Sequence, residues 1–67
     1  MIDKKIIGDR LRKLRGTKSR ADVASALGVT VQALYLWETG QRTPTDAAKI
    51  KIADFYRRSV ANIFYKD

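Results

Sequence analysis

Gly16, Gly28 and Gly40 each follow a short apolar stripe, and they divide the first part of the chain into pieces of helix length. Glycine ends helices because it enters the left-handed backbone region at no steric cost. Asp3, Ser19 and Thr30 stand ahead of those pieces, where a side-chain oxygen can cap a helix start. Between cap and stop the apolar residues recur at three and four, the period of a helix, rather than at two. The expected fold class is therefore all-α, a compact bundle of four to five short helices.

The first helix is expected from about Lys4 to Arg15, with Ile7, Leu11 and Leu14 on one stripe, Asp3 as cap and Gly16 as stop. The second runs from about Arg20 to Leu27: Ser19 and Asp22 read as a capping box, and Val23 and Leu27 face inward. The third runs from about Val31 to Thr39, capped by Thr30, with Leu34 and Trp37 as its apolar face. The fourth is expected from about Pro44 to Arg57, with Thr43 as cap and Pro44 at the first helical position. Ile50-Lys51-Ile52 alternates like a strand, but the longer helical frame of Ala48, Ile52, Phe55 and Tyr56 outweighs it. A short fifth helix follows Ser59, with Val60, Ile63 and Phe64 apolar.

With 67 residues the chain is expected to form one domain, residues 1–67. A domain of that size buries only about 60% of its unfolded surface, so its stability margin is thin. The 45% of residues that are hydrophobic suit a packed core rather than a disordered segment. Cysteine is absent, which removes disulfides, thiolate metal sites and a cysteine nucleophile. Histidine is absent too, and with it the commonest metal ligand and general base. Asp9, Asp22, Asp46 and Asp54 read as caps or solvated helix positions, with no spacing that suggests an acid and base pair. The expectation is no catalytic residue, no metal, no cofactor and no small-molecule substrate: not an enzyme. The longest apolar run, Ala33 to Trp37, is far too short to span a bilayer, and the N-terminus does not read as a signal peptide. A soluble, cytoplasmic protein is expected.

The net charge is +7, and it is uneven. Residues 1–20 carry eight basic side chains against Asp3 and Asp9, a net of +6, whereas the remainder carries a net of +1. Such a balance either keeps a helix face solvated or meets a polyanion, nucleic acid before an acidic membrane surface. A membrane role through the first helix is the weakest option, because its apolar stripe is needed for the core.

The informative stretch is Arg20 to Trp37, two short helices joined by a tight turn that contains Gly28. Ala24 falls where the two helices cross, and its small side chain lets their axes approach. Val23, Leu27, Val29, Leu34 and Trp37 are the inward positions. The start of the third helix is left free, with Val31, Gln32, Ala33, Tyr35 and Leu36 at the positions that enter the major groove in a helix-turn-helix.

The run from Ser19 to Pro44 resembles the phage repressor and Cro (XRE-type) helix-turn-helix family. The resemblance is carried by Ala24, Leu27-Gly28-Val29-Thr30, Gln32 and the string Trp37-Glu38-x-Gly40-x-Arg42-x-Pro44, and it extends from about Ile7 to Phe64. It implies the five-helix, lambda-repressor-like bundle and binding to operator DNA, usually as a dimer, by a phage or prokaryotic transcription regulator. Three positions depart from the family pattern. The connection Arg15 to Ser19 is short, Arg20 stands where glutamine is usual, and Arg57 stands where the fourth helix usually ends in glycine.

Double-stranded DNA is thus the expected partner. Gln32 is the expected base reader, since glutamine pairs bidentately with adenine, and Val31, Ala33 and Leu36 are placed beside it to meet thymine methyls. Arg20, Thr30, Tyr35, Gln41 and Arg42 are expected along the sugar–phosphate backbone. Trp37 reads as core, not as a platform for bases. The resemblance pairs Glu38 with Arg15 in a partly buried ion pair. Ile63 and Phe64, close to the chain end, are expected to leave apolar surface exposed for a weak homodimer on a palindromic site. Two other readings share the fold: a protein–protein adaptor that has lost DNA binding, and an antitoxin that binds a toxin and its own promoter.

Overall fold

The structure, a computed structural model, describes residues 2–67. Among them stand five helices and no strand: α1 (Lys4–Arg15), α2 (Arg20–Leu27), α3 (Val31–Glu38), α4 (Asp46–Tyr56) and α5 (Val60–Phe64). Each start is capped locally. The Asp3 carboxylate accepts the Lys5 amide, Ser19 that of Asp22, Thr30 that of Ala33, Thr45 that of Ala48 and Ser59 that of Asn62. Such a cap satisfies one of the amides that a helix start leaves without a partner.

Two boundaries of α4 differ from the expectation. Thr43 and Thr45 both offer a capping hydroxyl, and Thr45 takes the role at 3.2 Å from the Ala48 amide. The helix therefore begins at Asp46, and Pro44 lies ahead of the cap with its ring buried. At the other end Arg57 is the C-cap rather than the last helical residue, in the left-handed region at φ 57° and ψ 44°. It is the only residue other than glycine with positive φ among the described residues. Similarly, α3 ends at Glu38, with Thr39 as its cap.

The core gathers Ile7 and Leu11 of α1, Val23, Ala24 and Leu27 of α2, Leu34 and Trp37 of α3, Ile52 and Ala53 of α4, and Ile63 and Phe64 of α5. α3 is wedged between α1 and α2, α4 leans on α2, and α5 folds back along α1 and α4. Gly8, in the middle of α1, is buried and makes the contact with α3 through backbone: a β-carbon there would lie 2.6 Å from the carbonyl oxygen of Glu38.

The expectation that Ile63 and Phe64 leave apolar area exposed is corrected by this packing. Each is only 1% exposed. The reason is the return of α5 onto α1, where the Arg10 guanidinium donates to the carbonyls of Asn62 and Ile63 at 2.9 and 3.1 Å. These carbonyls at the end of a short helix gain a cation, and the turn beneath them closes the core of a single chain. The exposed aromatic near the chain end is instead Tyr65, whose hydroxyl accepts from Lys49 Nζ at 2.8 Å.

Candidate nucleic-acid interface

The turn between α2 and α3 sets how α3 is presented. Gly28 takes φ 71° and ψ 31°, and the next amide, that of Val29, donates back to the Ala24 carbonyl at 3.0 Å. Ala24 is 1% exposed and part of the core that α2 and α3 share. Leu34, Trp37 and Glu38 then face inward.

The opposite face of α3 is open. Val31 is 48% exposed and Tyr35 40%, and Gln32 between them is exposed as well. Ala33 and Leu36 are half-buried, and Ala33 packs against the core edge. Thr30, exposed, spends an oxygen lone pair on the Ala33 amide at 3.0 Å and keeps its own O–H to donate. The loop after Gly40 turns back over the end of α3. The Gln41 and Arg42 amides both donate to the Leu36 carbonyl, and Gln41 Nε2 donates to Thr39 Oγ1 at 2.9 Å. Arg42 is exposed with no side-chain hydrogen bond to the described residues.

Beneath this face lies a charged cluster. The Glu38 side chain is fully buried, and its two oxygens are shared between two arginines. Arg15 Nε donates to Oε2 at 2.8 Å, and Arg20 Nε donates to Oε1 at 2.9 Å. Arg15 is also held by the Lys18 carbonyl at 2.8 Å, which ties the short α1–α2 loop to the cluster. A buried carboxylate without such partners would carry a heavy desolvation cost. The hydrogen bond to Glu38 raises the Arg15 pKa further. Tyr56 reaches the same region, and its buried hydroxyl has no hydrogen-bond partner among the described residues. Burial first, and then the Glu38 charge, push its pKa up, with Arg15 opposing.

The structure thus brings Val31, Gln32, Tyr35 and Arg20 to one side, with Thr30 at the start of the same helix. The resemblance pairs Glu38 with Arg15 alone; Arg20 is a second partner that it does not supply. Nor does the sequence show the Arg20 guanidinium lying over the Tyr35 ring, 5.1 Å from its centroid. The one signal that pointed there was the arginine at position 20 where the resembling family has glutamine. No group of three or more potential metal ligands stands together among the described residues, and no helix is long and apolar enough to cross a membrane.

A family model described as a helix-turn-helix domain matches residues 6–63. No curated protein matches the sequence. Among solved structures, the restriction-modification controller protein C.AhdI from Aeromonas hydrophila is similar at a TM-score of 0.81 and 27% identity, over 91% of this chain and 96% of that one. The SOS-response transcriptional repressor LexA from Eubacterium rectale is similar at a TM-score of 0.86 over 100% of this chain and 77% of that one. At 19% identity the second likeness speaks for the fold alone.

Proposed function

This chain belongs to the helix-turn-helix domain family, and from that premise we propose that it reads operator DNA as a repressor and Cro-like regulator, with α3 in the major groove. The observation that carries the reading is the division of α3. Its inward side is locked by Leu34, Trp37 and Glu38, while Val31, Gln32 and Tyr35 stay exposed on an otherwise immobilised helix. A helix held this way presents its outer side chains from a backbone with little entropy left to lose.

In this reading Gln32 pairs with a base edge, and Val31, Ala33 and Leu36 line the contact with thymine methyls. Arg20, Thr30, Tyr35, Gln41 and Arg42 hold the backbone on either side. Residues 1–67 act as one domain that binds and does no chemistry, in the cytoplasm, and occupancy of a promoter represses it. The controller protein that is similar at 27% identity supports a regulatory role. A domain of this size covers few base pairs, so two copies on a two-fold site, about 34 Å apart along the duplex, supply the specificity. Burial of Ile63 and Phe64 gives those residues no part in that pairing.

Fluorescence anisotropy of a labelled duplex across a salt series tests the proposal. Log K should fall by about 0.9 per tenfold rise in salt for each phosphate neutralised, so about four contacts cost roughly a hundredfold between 50 and 200 mM salt. Binding that is absent, or indifferent to salt, would overturn it.

A further inference from the structure

We propose that Glu38 is a positioning residue for DNA binding: it grips Arg20 by one edge and so fixes the rest of that guanidinium, beside Tyr35, as a fork for a single backbone phosphate. The inference rests on the DNA reading above and adds to it a part for a buried carboxylate that touches no DNA.

A guanidinium has five N–H donors in one plane. In Arg20 the Nε–H is committed to Glu38 Oε1 at 2.9 Å, and no other Arg20 side-chain hydrogen bond exists among the described residues. The two terminal nitrogens are therefore left without a protein partner, on a side chain that remains 33% exposed. Rotation about the remaining axis is restricted by the Tyr35 ring, whose centroid lies 5.1 Å from the guanidinium carbon. Edge and face are thus both fixed, which is the geometry that bidentate recognition of a phosphate requires.

Glu38 can serve as an anchor because it is itself held from the far side. Arg15 takes its other oxygen at 2.8 Å, and Arg15 is tied to the Lys18 carbonyl. The carboxylate cannot swing to follow Arg20 outward without breaking that bond. Charge works in the same direction. Two guanidiniums share one carboxylate, so the cluster keeps a net positive charge. The negative group is fully buried, and Arg20 is the more exposed of the two cations. A phosphate approaching α3 meets the cation, not the anion. Lysine at position 20 would keep the charge but lose both the Nε–H and the planar fork.

The test uses the full chain, thermal melting to check folding, and anisotropy with a fluorescein-labelled duplex of random sequence, which reads phosphate contacts apart from base contacts. Arg20→Lys should weaken binding about tenfold, the effect of one lost charge-assisted hydrogen bond, with an unchanged salt slope because the charge is unchanged. Glu38→Gln should weaken binding by a similar factor when Arg20 is present and have no effect on binding in the Arg20→Lys background, because the two act through one contact. A merely structural Glu38 would cost the same in both backgrounds, and that result overturns the proposal. Equal affinity of Arg20→Lys and wild type overturns it as well, whether or not Glu38→Gln folds. If wild type binds with a steep salt dependence and Arg20→Lys binds equally, only the positioning role falls. If wild type does not bind, the DNA reading falls and takes this proposal with it.

Discussion

Gly8 of α1 lies against the carbonyl of Glu38 so closely that a β-carbon on it would stand 2.6 Å from that oxygen and 3.0 Å from the carbonyl oxygen of Trp37. Both obstacles are backbone, so no side chain can turn aside to make room. The end of α3, and with it the buried carboxylate that Arg15 and Arg20 share, is set by how near α1 can come.

Gly8→Ala should therefore destabilise the fold, although alanine is the better helix former by roughly 1 kcal/mol. Overpacking of this kind costs typically 1–3 kcal/mol, and here the upper part of that range, since both obstacles are backbone. A net loss of about 1–2 kcal/mol lowers the Tm by roughly 4–8 °C per kcal/mol in a domain of this size. Thermal denaturation followed by circular dichroism checks it. A Tm equal to or above wild type would show that α1 and α3 separate freely at this point.

Arg57→Gly should act in the opposite direction. Arg57 holds φ 57° as the C-cap of α4, and its amide donates to the carbonyls of Ala53 and Asp54. The left-handed conformation costs a residue with a β-carbon about 1 kcal/mol, and glycine is spared that cost. Arg57 is exposed, so little packing is lost with its side chain. A gain of about 0.5–1 kcal/mol in chemical denaturation is expected; a loss would mean that the arginine side chain contributes more than the backbone strain removes.

Several of these features were legible in the sequence, and the division is physical. The caps Asp3, Ser19 and Thr30 and the stop at Gly28 act on amides and carbonyls within a few residues of themselves, so local pattern suffices to place them. The inward row of α2 and α3 follows from helical period for the same reason. Thr45 was missed because Thr43 competes for the same role, and the burial of Pro44, which depends on distant residues, accompanies the later start. Gly8 was passed over because its need for a missing side chain arises only when α1 meets α3. Arg20 and Glu38 are brought together in the same non-local way. For Ile63 and Phe64 the apolar character was plain, but a stripe does not say whether its own chain or a second copy covers it.

Tyr56 gives the chain an alkaline limit. Its folded pKa is raised above the ordinary 10.0, by burial first and by Glu38 second. The folded state then keeps a proton that the unfolded state gives up. The stabilisation is fully present below pH 10 and is lost as pH rises from there through the folded value. Tyr56→Phe removes that titration together with a buried hydroxyl that has no partner. Stability at neutral pH should rise by about 1 kcal/mol, the order of the cost of an unsatisfied buried donor. The difference between variant and wild type should then widen above pH 10. Urea denaturation at neutral pH and above pH 10 checks both; a difference that stays constant or narrows would place the Tyr56 hydroxyl in contact with water.

The central claim is that the exposed row on α3 reads base pairs, and selection of bound duplexes from a random pool, run in parallel with wild type and Gln32→Ala, tests it most directly. Wild type should enrich a defined sequence. Gln32→Ala should enrich a sequence that has lost its preference at one base pair and kept the rest, because a bidentate contact to a base discriminates by roughly 1–3 kcal/mol at a single position. Enrichment of no sequence by wild type, or of the same sequence by both proteins, would contradict it.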